Sequence, residues 1–355
     1  MSTLALPLLI VVFVGCAVVI WVAGIRLSNT TDVLDDRLHL GSALGGVVLL
    51  AIATNLPEIA ITVAAAASHH IGVATGNILG GIAIQTLVLV ALDAFGGDRR
   101  RSLTYRAASL GLVLEGGLVI AVLTVVVMGT QLPAGLHAGR FAPASVLIAL
   151  LWVGGVLLLS KTQGRLPWQE SGEAPDNQKP PKGHSKHQKN QQAAQRKVST
   201  ARAATVFAVA ALATLAAGYY LEQSGDAIAG HIGLTGVLFG STVLAAATSL
   251  PELSTGLTSV KLGDTQLAIS DIFGGNAFLP VLFLVATVIS GTPVLPQAQN
   301  TDIYLTGLGI LLTAVYVVGL ILRPRRTIGR LGPDSFAVLI LYALGIAGLV
   351  AIATT

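Results

Sequence analysis

Apolar segments of similar length follow one another along nearly the whole chain. Hydrophobic residues make up 53% of the 355 positions and charged residues 11%, whereas a soluble domain usually carries about 25% charge. A helix needs roughly 20 mainly apolar residues to cross about 30 Å of hydrocarbon. The segments of this length are 4–25, 41–67, 72–95, 107–128, 141–160, 203–222, 235–260, 265–290, 303–322 and 334–354. Because they lack the alternation of barrel strands, we predict an all-α polytopic membrane protein with ten transmembrane helices.

The basic residues predict the orientation of these helices. Lys and Arg side chains resist translocation and collect in cytoplasmic loops. If both termini lie outside, 20 of the 21 Lys and Arg residues fall in cytoplasmic loops and only Arg140 falls outside. We therefore predict a multi-pass protein of the plasma (inner) membrane with both termini outside.

Residues 162–201 interrupt the apolar pattern. This stretch is rich in Gln, Lys, Pro and Ser, and it has too few large apolar side chains to offset the entropy of ordering. It is predicted to be a disordered cytoplasmic linker between two five-helix halves, 1–161 and 202–355. An odd number of helices per half makes equivalent helices cross in opposite directions, as in the inverted-topology repeats of many secondary transporters.

The two halves contain a repeated sequence. Residues 51–90 align with residues 245–284 at a constant offset of 194, and 11 of the 40 positions are identical. The shared pattern is T-x-L-P-E followed by G-G. Apolar composition alone does not produce these motifs at matched positions, so we predict a first repeat over about 41–95 and a second over about 235–290.

Each T-x-L-P-E motif places a carboxylate, Glu58 or Glu252, inside a predicted span. An acid at the centre of a membrane helix costs about 2.5–3.5 kcal/mol on insertion scales, so a bound cation is the expected partner. Proline has no N–H, so the carbonyls of Ala53 and Ala247, four residues before each proline, lose their helical hydrogen-bond donors. These free carbonyl oxygens support a cation site, because hard cations prefer oxygen ligands. The alternative is a pair of protonated acids that brace a helix kink. The glycine pairs 80–81 and 274–275 are predicted to let helices pack closely against the kinked ones.

These motifs resemble a known family. T-N-L-P-E (54–58) with G-N-I-L-G-G (76–81), and T-S-L-P-E (248–252) with S-D-I-F-G-G-N (270–276), are similar to the two repeats of the Ca²⁺/cation antiporter superfamily, in particular the membrane region of sodium/calcium exchangers. The resemblance implies that Glu58 and Glu252 bind Ca²⁺. It also implies that carbonyls and side chains nearby bind Ca²⁺ or Na⁺: the carbonyls of Thr54, Thr248, Ala51 and Ala245, and the side chains of Asn55 and Ser249.

The chain departs from the family pattern in the third and eighth spans. Gly81 and Gly275 stand where the family usually has serine, and Leu279 stands where it usually has a polar or acidic ligand. The chain therefore lacks several of the hydroxyl groups that, by the resemblance, would bind Na⁺. We hypothesise that cation transport is coupled to H⁺ instead. The remaining polar candidates for the metal site are Gln85, Asn276 and Asp271; Asp271 or Glu115 could replace the acid missing at Leu279.

The sequence thus predicts a secondary antiporter that exchanges Ca²⁺, or a similar divalent cation, for Na⁺ or H⁺. The alternatives are a passive cation channel built on the same repeat and an intramembrane enzyme that uses the acid pair. We expect no enzyme activity, no cofactor, no nucleic-acid partner and no obligate protein partner; the lipid bilayer and the transported cations are the expected partners. His69 and His70 are predicted to be a surface pair in an outside loop.

Overall fold

The computed structural model describes residues 4–38, 52–96, 101–162 and 199–353. Its regular elements are helices, and the described part holds no strand beyond two isolated bridges in turns. The helices are α1 (Leu6–Leu38), α2 (Leu56–Ala67), α3 (Ile71–Phe95), α4 (Leu103–Ala107), α5 (Leu110–Thr130), α6 (Pro143–Thr162), α7 (Thr200–Ile232), α8 (Gly236–Phe239), a π-helical turn (Gly240–Leu244), α9 (Ala245–Thr248), α10 (Leu250–Leu262), α11 (Thr265–Phe278), a 3₁₀ turn (Leu279–Val281), α12 (Leu282–Ser290), a 3₁₀ turn (Leu295–Gln297), α13 (Asn300–Leu322) and α14 (Pro333–Ala353).

The predicted all-α, multi-pass architecture is confirmed. Within the described ranges, eight helices are long and apolar enough to cross a membrane, and a ninth span is obtained if the bent pair Gly236–Thr248 and Leu250–Leu262 is taken as one. The predicted span 41–67 lies partly outside the described residues, and its described part is α2. The predicted linker lies outside them almost entirely, between the end of α6 and the start of α7.

Two long helices, α1 and α7, each of 33 residues, pack along one another at one side of the molecule. Glycines allow two of their close approaches to the rest of the protein. A Cβ at Gly24 would lie 2.6 Å from the Pro251 ring, and a Cβ at Gly218 would lie 2.6 Å from the Cβ of Ala60. The long helices therefore approach the start of α10 and the middle of α2 closely. Apolar side chains such as Val11 and Leu212 are exposed on their outer faces, as expected of surfaces that contact lipid.

Helix α3 runs through the centre of the molecule, and 18 of its 25 residues are buried. A helix that is apolar all round belongs in an interior, and α3 packs against α2, α10, α11, α13 and the π-helical turn. The approach to the π-helical turn is made by backbone: a Cβ at Gly80 would lie 2.1 Å from the Cα of Ser241. The predicted close packing of the first glycine pair against the broken helix is therefore observed at Gly80.

A buried carboxylate holds the connections at the end of α3. Asp93 is 3% exposed, and its two oxygens accept hydrogen bonds from the backbone N–H groups of Leu103 and Gly332, each at 2.6 Å. Asp93 thus joins the end of α3 to the start of α4 and to the chain just before α14.

Candidate cation site

Both glutamates of the repeated motif stand in the first turn of a helix. Helix α2 begins after Asn55 and helix α10 begins after Ser249, so that proline is the second helical residue and glutamate the third in each. Proline is tolerated there because that N–H has no partner within the helix. Between α8–α9 and α10 the chain bends by 44°. The motif therefore ends one helix and starts another, and the positive end of the helix dipole favours a carboxylate at this position.

The two acids come together from distant parts of the sequence. Glu58 is fully buried and Glu252 is 5% exposed. Glu252 lies within electrostatic range of the carboxylates of Glu58 and Asp271. The Thr248 side chain approaches Glu58, although its hydroxyl donates to the Ala245 carbonyl at 3.1 Å. Three carboxyl groups thus lie within electrostatic range in this part of the protein. Among the described residues, none of the three forms a salt bridge with a basic side chain.

Oxygens in this region lack hydrogen-bond partners. Gln85 Nε2 donates weakly to Glu58 Oε1, at 3.5 Å. Among the buried oxygens that have no hydrogen-bond partner in the described structure are Glu58 Oε2, both carboxylate oxygens of Glu252, Gln85 Oε1 and Asn276 Oδ1. Buried polar groups are normally hydrogen-bonded, so a cluster of unpaired oxygens fits a hard cation, which takes oxygen ligands. In the described ranges no three His, Cys, Asp or Glu side chains are arranged around a metal; amide and backbone oxygens would have to complete the coordination.

Several other predicted ligands lie in or near this region. A Cβ at Gly275 would lie 3.2 Å from Gln85 Oε1 and 3.4 Å from Asn55 Oδ1, so both amides converge on the Gly275 backbone. Thr54 and Asp271 line a cavity beside it. The predicted ligand Ala51 lies outside the described residues.

Two predicted ligands are engaged in bonds within the protein. The Ala245 carbonyl accepts hydrogen bonds from the hydroxyls of Ser249 (2.8 Å) and Thr248 (3.1 Å). Asn276 Nδ2 donates to Thr86 Oγ1 at 3.1 Å, which leaves Asn276 Oδ1 as its unpaired atom. Thr86 was not anticipated as the partner that orients this amide.

The positions that depart from the family pattern have different surroundings. Leu279 is fully buried in the main hydrophobic cluster, and its Cδ1 would lie 3.3 Å from a Cβ at Gly81. Gly274 has no atom within 4 Å of its Cβ position and lines the cavity. The prediction that both glycine pairs mediate close packing is therefore wrong for Gly274, which opens the cavity instead.

The cavity has a volume of about 260 Å³ and extends from Thr54 and Gly275 to Leu159, Ser160 and Leu267. Leu159 and Ser160 are at the end of α6, just before the linker. We call this side of the molecule the linker face. On the cavity wall, Glu115 Oε1 accepts a hydrogen bond from Ser270 Oγ at 3.0 Å. The cavity thus extends from Thr54, Asp271 and Gly275 to the linker face.

The sequence did not single out two buried polar residues of the first repeat as site residues. Asn77 is fully buried, and neither of its side-chain polar atoms has a hydrogen-bond partner in the described structure. The same holds for the hydroxyl of Thr62, which follows Glu58 by one helical turn. The available signal was the alignment of Asn77 with Asp271 at the repeat offset.

Membrane-spanning helices that enclose a pair of buried acids define an integral, multi-pass membrane protein of the helical class. The chain belongs to the family described as sodium/calcium exchanger protein, whose model matches residues 8–170 and 202–351. The family consists of exchangers that move ions across membranes, in agreement with the resemblance found in the motifs.

Individual relatives agree with this assignment. The putative antiporter CaxA of Alkalimonas amylolytica is 26% identical over 311 residues, which cover 83% of this chain and 85% of that protein. The crystal structure of the H⁺/Ca²⁺ exchanger CAX superposes with a TM-score of 0.65 at 13% identity, covering 97% of this chain and 87% of that one. The sodium-calcium exchanger NCX_Mj gives a TM-score of 0.58 at 16% identity, covering 97% and 100%. At these identities the two structures establish the fold.

Proposed function

We propose that this protein is a secondary antiporter that exchanges Ca²⁺, or a similar divalent cation, for H⁺ or Na⁺ at a site between Glu58 and Glu252. The observation that carries the proposal is that these two buried carboxylates lie within electrostatic range of one another and have oxygens that lack hydrogen-bond partners. Uncompensated charge is costly in such surroundings. A divalent cation neutralises both acids, and so do two protons. The cation and the protons are therefore alternative occupants of one site. The family is one of transporters, so we propose no enzyme activity.

The proposed architecture has ten transmembrane helices in two inverted halves, 1–161 and 202–355. The first repeat covers about 41–95 and the second about 235–290. Two features support it: α2 and α10 begin with the same motif, and each carries its glutamate as third residue. We place the protein in the plasma (inner) membrane with both termini outside and with the 162–201 linker cytoplasmic. The site would then lie near the midplane, as in other transporters of this type.

The proposed ligands are those that the sequence indicated. Glu58 and Glu252 supply the charge, and Asp271 adds a third negative group that acts on Glu252. The further proposed ligands are Thr54, Thr248, Ala51, Ala245, Asn55, Ser249, Gln85 and Asn276. For Gln85 and Asn276, the unpaired buried oxygens support this role.

Protons are the favoured coupling ion in this proposal. Glycine replaces a hydroxyl residue at Gly81 and Gly275, and the Ala245 carbonyl is occupied by the hydroxyls of Thr248 and Ser249. A Na⁺ site that used this carbonyl would first have to displace them. Proton coupling needs only the two carboxylates, because the same oxygens take up the protons when the divalent cation leaves.

The cavity offers a route toward the site from one face. It extends from Thr54 and Gly275 toward the linker face, so we propose that a cation enters from that side in this conformation. An exchanger then needs a second conformation that opens to the opposite face, whereas a passive channel is open to both faces at once.

Flux measurements test the proposal. The purified protein is reconstituted into liposomes, and ⁴⁵Ca²⁺ uptake is measured under an imposed pH gradient, an imposed Na⁺ gradient or neither. We expect uptake to follow the pH gradient. Glu58→Gln and Glu252→Gln should each raise the Ca²⁺ concentration for half-maximal uptake at least about 100-fold, because loss of one member of a buried charge cluster costs about 3–5 kcal/mol.

Asp302→Asn serves as the matched control. Asp302 is also a buried acid within a spanning helix, but its carboxylate accepts the backbone N–H of Gln299 at 2.8 Å at the start of α13. This variant should transport with nearly unchanged affinity. Normal transport by both glutamine variants would refute the site. If only a Na⁺ gradient drives uptake, the coupling ion is Na⁺ and not H⁺. If uptake follows the Ca²⁺ gradient alone, the protein is a channel.

A further inference from the structure

A polar cluster away from the acids joins α7 to the connection between α2 and α3. His70 Nδ1 lies 2.8 Å from Glu222 Oε1, and His70 Nε2 lies 3.8 Å from Asp226 Oδ2. The Glu222 side chain is fully buried, whereas the His70 side chain is 34% exposed. Gln223 Nε2 adds a second tie, since it donates to Glu222 Oε2 at 2.8 Å and to Ser68 Oγ at 3.1 Å. His70 is therefore partly exposed and also makes contacts between helices, which the sequence did not predict.

This cluster lies on the face opposite the cavity mouth. Helices α3, α5 and α6 are each long enough to span the membrane, so successive helices end on alternate faces. Helix α6 ends at the linker face, which places the start of α3, next to His70, on the opposite face. Helix α7 starts at the linker face, so Glu222 and Asp226, near its end, also lie on the opposite face. The cluster therefore joins helices on one face of the membrane, and the cavity reaches the other face.

The charge on this cluster depends on one imidazole. Histidine is the side chain whose charge responds most readily to changes of pH in the physiological range. A neutral ring has one N–H and can donate to Glu222 alone. A protonated ring has two, directed at both carboxylates of α7, and adds a positive charge opposite a buried acid. Burying a carboxylate without a counter-charge is unfavourable, so protonation of His70 strengthens the contact.

The other ionisable groups nearby do not take over this role. His69 is exposed, and the ring of His231 is bonded to a carbonyl of its own helix, at 2.8 Å. Asp302, at the start of α13, caps its own helix and is also approached by the Thr75 side chain of α3. In the described part of the chain, the ion-pair partner of Glu222 and Asp226 is His70.

We propose that His70, Glu222 and Asp226 form a proton-responsive latch that fastens α7 to the α2–α3 connection and keeps the face opposite the linker closed. Acid on that face tightens the latch, and neutral to alkaline pH loosens it. The effect of the latch on transport rests on the proposed exchanger function. The latch itself is a property of the helices, so it can be tested without any transported ion.

Distances between two spin labels provide that test. The single native cysteine is removed by Cys16→Ala, and labels are attached after Gly230→Cys at the end of α7 and Gly135→Cys in the loop after α5. Both glycines are exposed and have no atom within 4 Å of the Cβ position. Electron–electron distance distributions are recorded in lipid at pH 5.5 and pH 8. We expect one narrow population at pH 5.5 and a second at pH 8, with a change in their ratio on the order of tenfold, within the usual range for coupled sites.

Matched variants locate the response. His70→Gln keeps a hydrogen-bond donor but does not titrate, so its distributions should be the same at both pH values. Glu222→Gln should abolish the response as well. His69→Gln, on the exposed neighbouring residue, should retain it. A pH response that persists in both latch variants, or its absence in the native sequence, would overturn the proposal.

Transport distinguishes the latch from the proposed function. In liposomes that carry ⁴⁵Ca²⁺ exchange, acid on the face opposite the linker should slow exchange in the native protein and have less effect in His70→Gln. If the label distances respond as expected but no gradient drives Ca²⁺, the exchanger assignment fails and the latch stands. If exchange is normal and the distances ignore pH, the latch fails alone.

Discussion

A methyl group added at Gly80 should disturb the centre of the fold. The Cβ of Gly80→Ala would lie 2.1 Å from the Cα of Ser241 and 2.6 Å from its carbonyl oxygen, whereas ordinary contacts are 3.4–4 Å. Both obstructing atoms belong to backbone, so a rotamer change cannot relieve the clash, and α3 must move from the π-helical turn by roughly 1 Å or more. Overpacking of this kind costs about 1–3 kcal/mol or more. With an unfolding entropy of about 2.1 cal/mol/K per residue, 1 kcal/mol shifts the Tm of a 355-residue chain by roughly 1.3 °C, so we expect Tm to fall by roughly 2–4 °C.

The assay is thermal unfolding of the purified protein in detergent, followed by loss of the monodisperse peak in size-exclusion chromatography. Gly274→Ala is the matched control, because it occupies the same place in the second glycine pair but its Cβ meets no atom within 4 Å. Its Tm should stay within about 1 °C of the native protein, since alanine is also the better helix former. Equal melting temperatures of the two variants would refute the argument from backbone contact.

Two further predictions concern the ends of the spanning helices. Asp93→Ala should lower Tm, because the buried N–H groups of Leu103 and Gly332 would lose their acceptors at about 1–3 kcal/mol each. Asp93→Asn keeps one acceptor oxygen, so its Tm should lie between those of Asp93→Ala and the native protein. An Asp93→Ala variant as stable as the native protein would contradict this account. Gly24→Ala should slow ion exchange but leave the protein folded, since its Cβ would lie 2.6–2.7 Å from the ring of Pro251 and displace α1 from the start of α10. Native flux in this variant would show that the contact does not matter for transport.

Much of the fold follows from the sequence because membrane helices are specified locally. Each needs a long apolar run, and the basic residues mark the loops, so α1, α3, α5, α6, α7, α13 and α14 lie where the apolar segments predict them. The break at Ser249 was harder to anticipate. A proline inside an apolar run can kink one helix or stand in the first turn of the next, and the structure shows the second arrangement.

The candidate site could be predicted to the extent that the repeat reveals it. The matching motifs single out Glu58 and Glu252, and in the structure Glu252 lies within electrostatic range of Glu58. Contacts between residues far apart in sequence were beyond reach. His70 meets Glu222 across 152 positions, and nothing in the local sequence separates it from its exposed neighbour His69. Similarly, Gly80 and Gly274 begin identical dipeptides, but only the helices around them decide which one touches backbone.

The close approach of α3 to the π-helical turn also bears on how related chains can diverge. Where main chains touch, as at Gly76 and Gly80, substitution requires a change in helix spacing, so these positions tolerate little variation over evolutionary time. The outer faces of α1 and α7 meet neighbours through side chains or face lipid, where one apolar residue can replace another. Substitutions among relatives should therefore accumulate on these lipid-facing surfaces and spare the central helix, which is consistent with a shared fold over 97% of the chain at 13% identity.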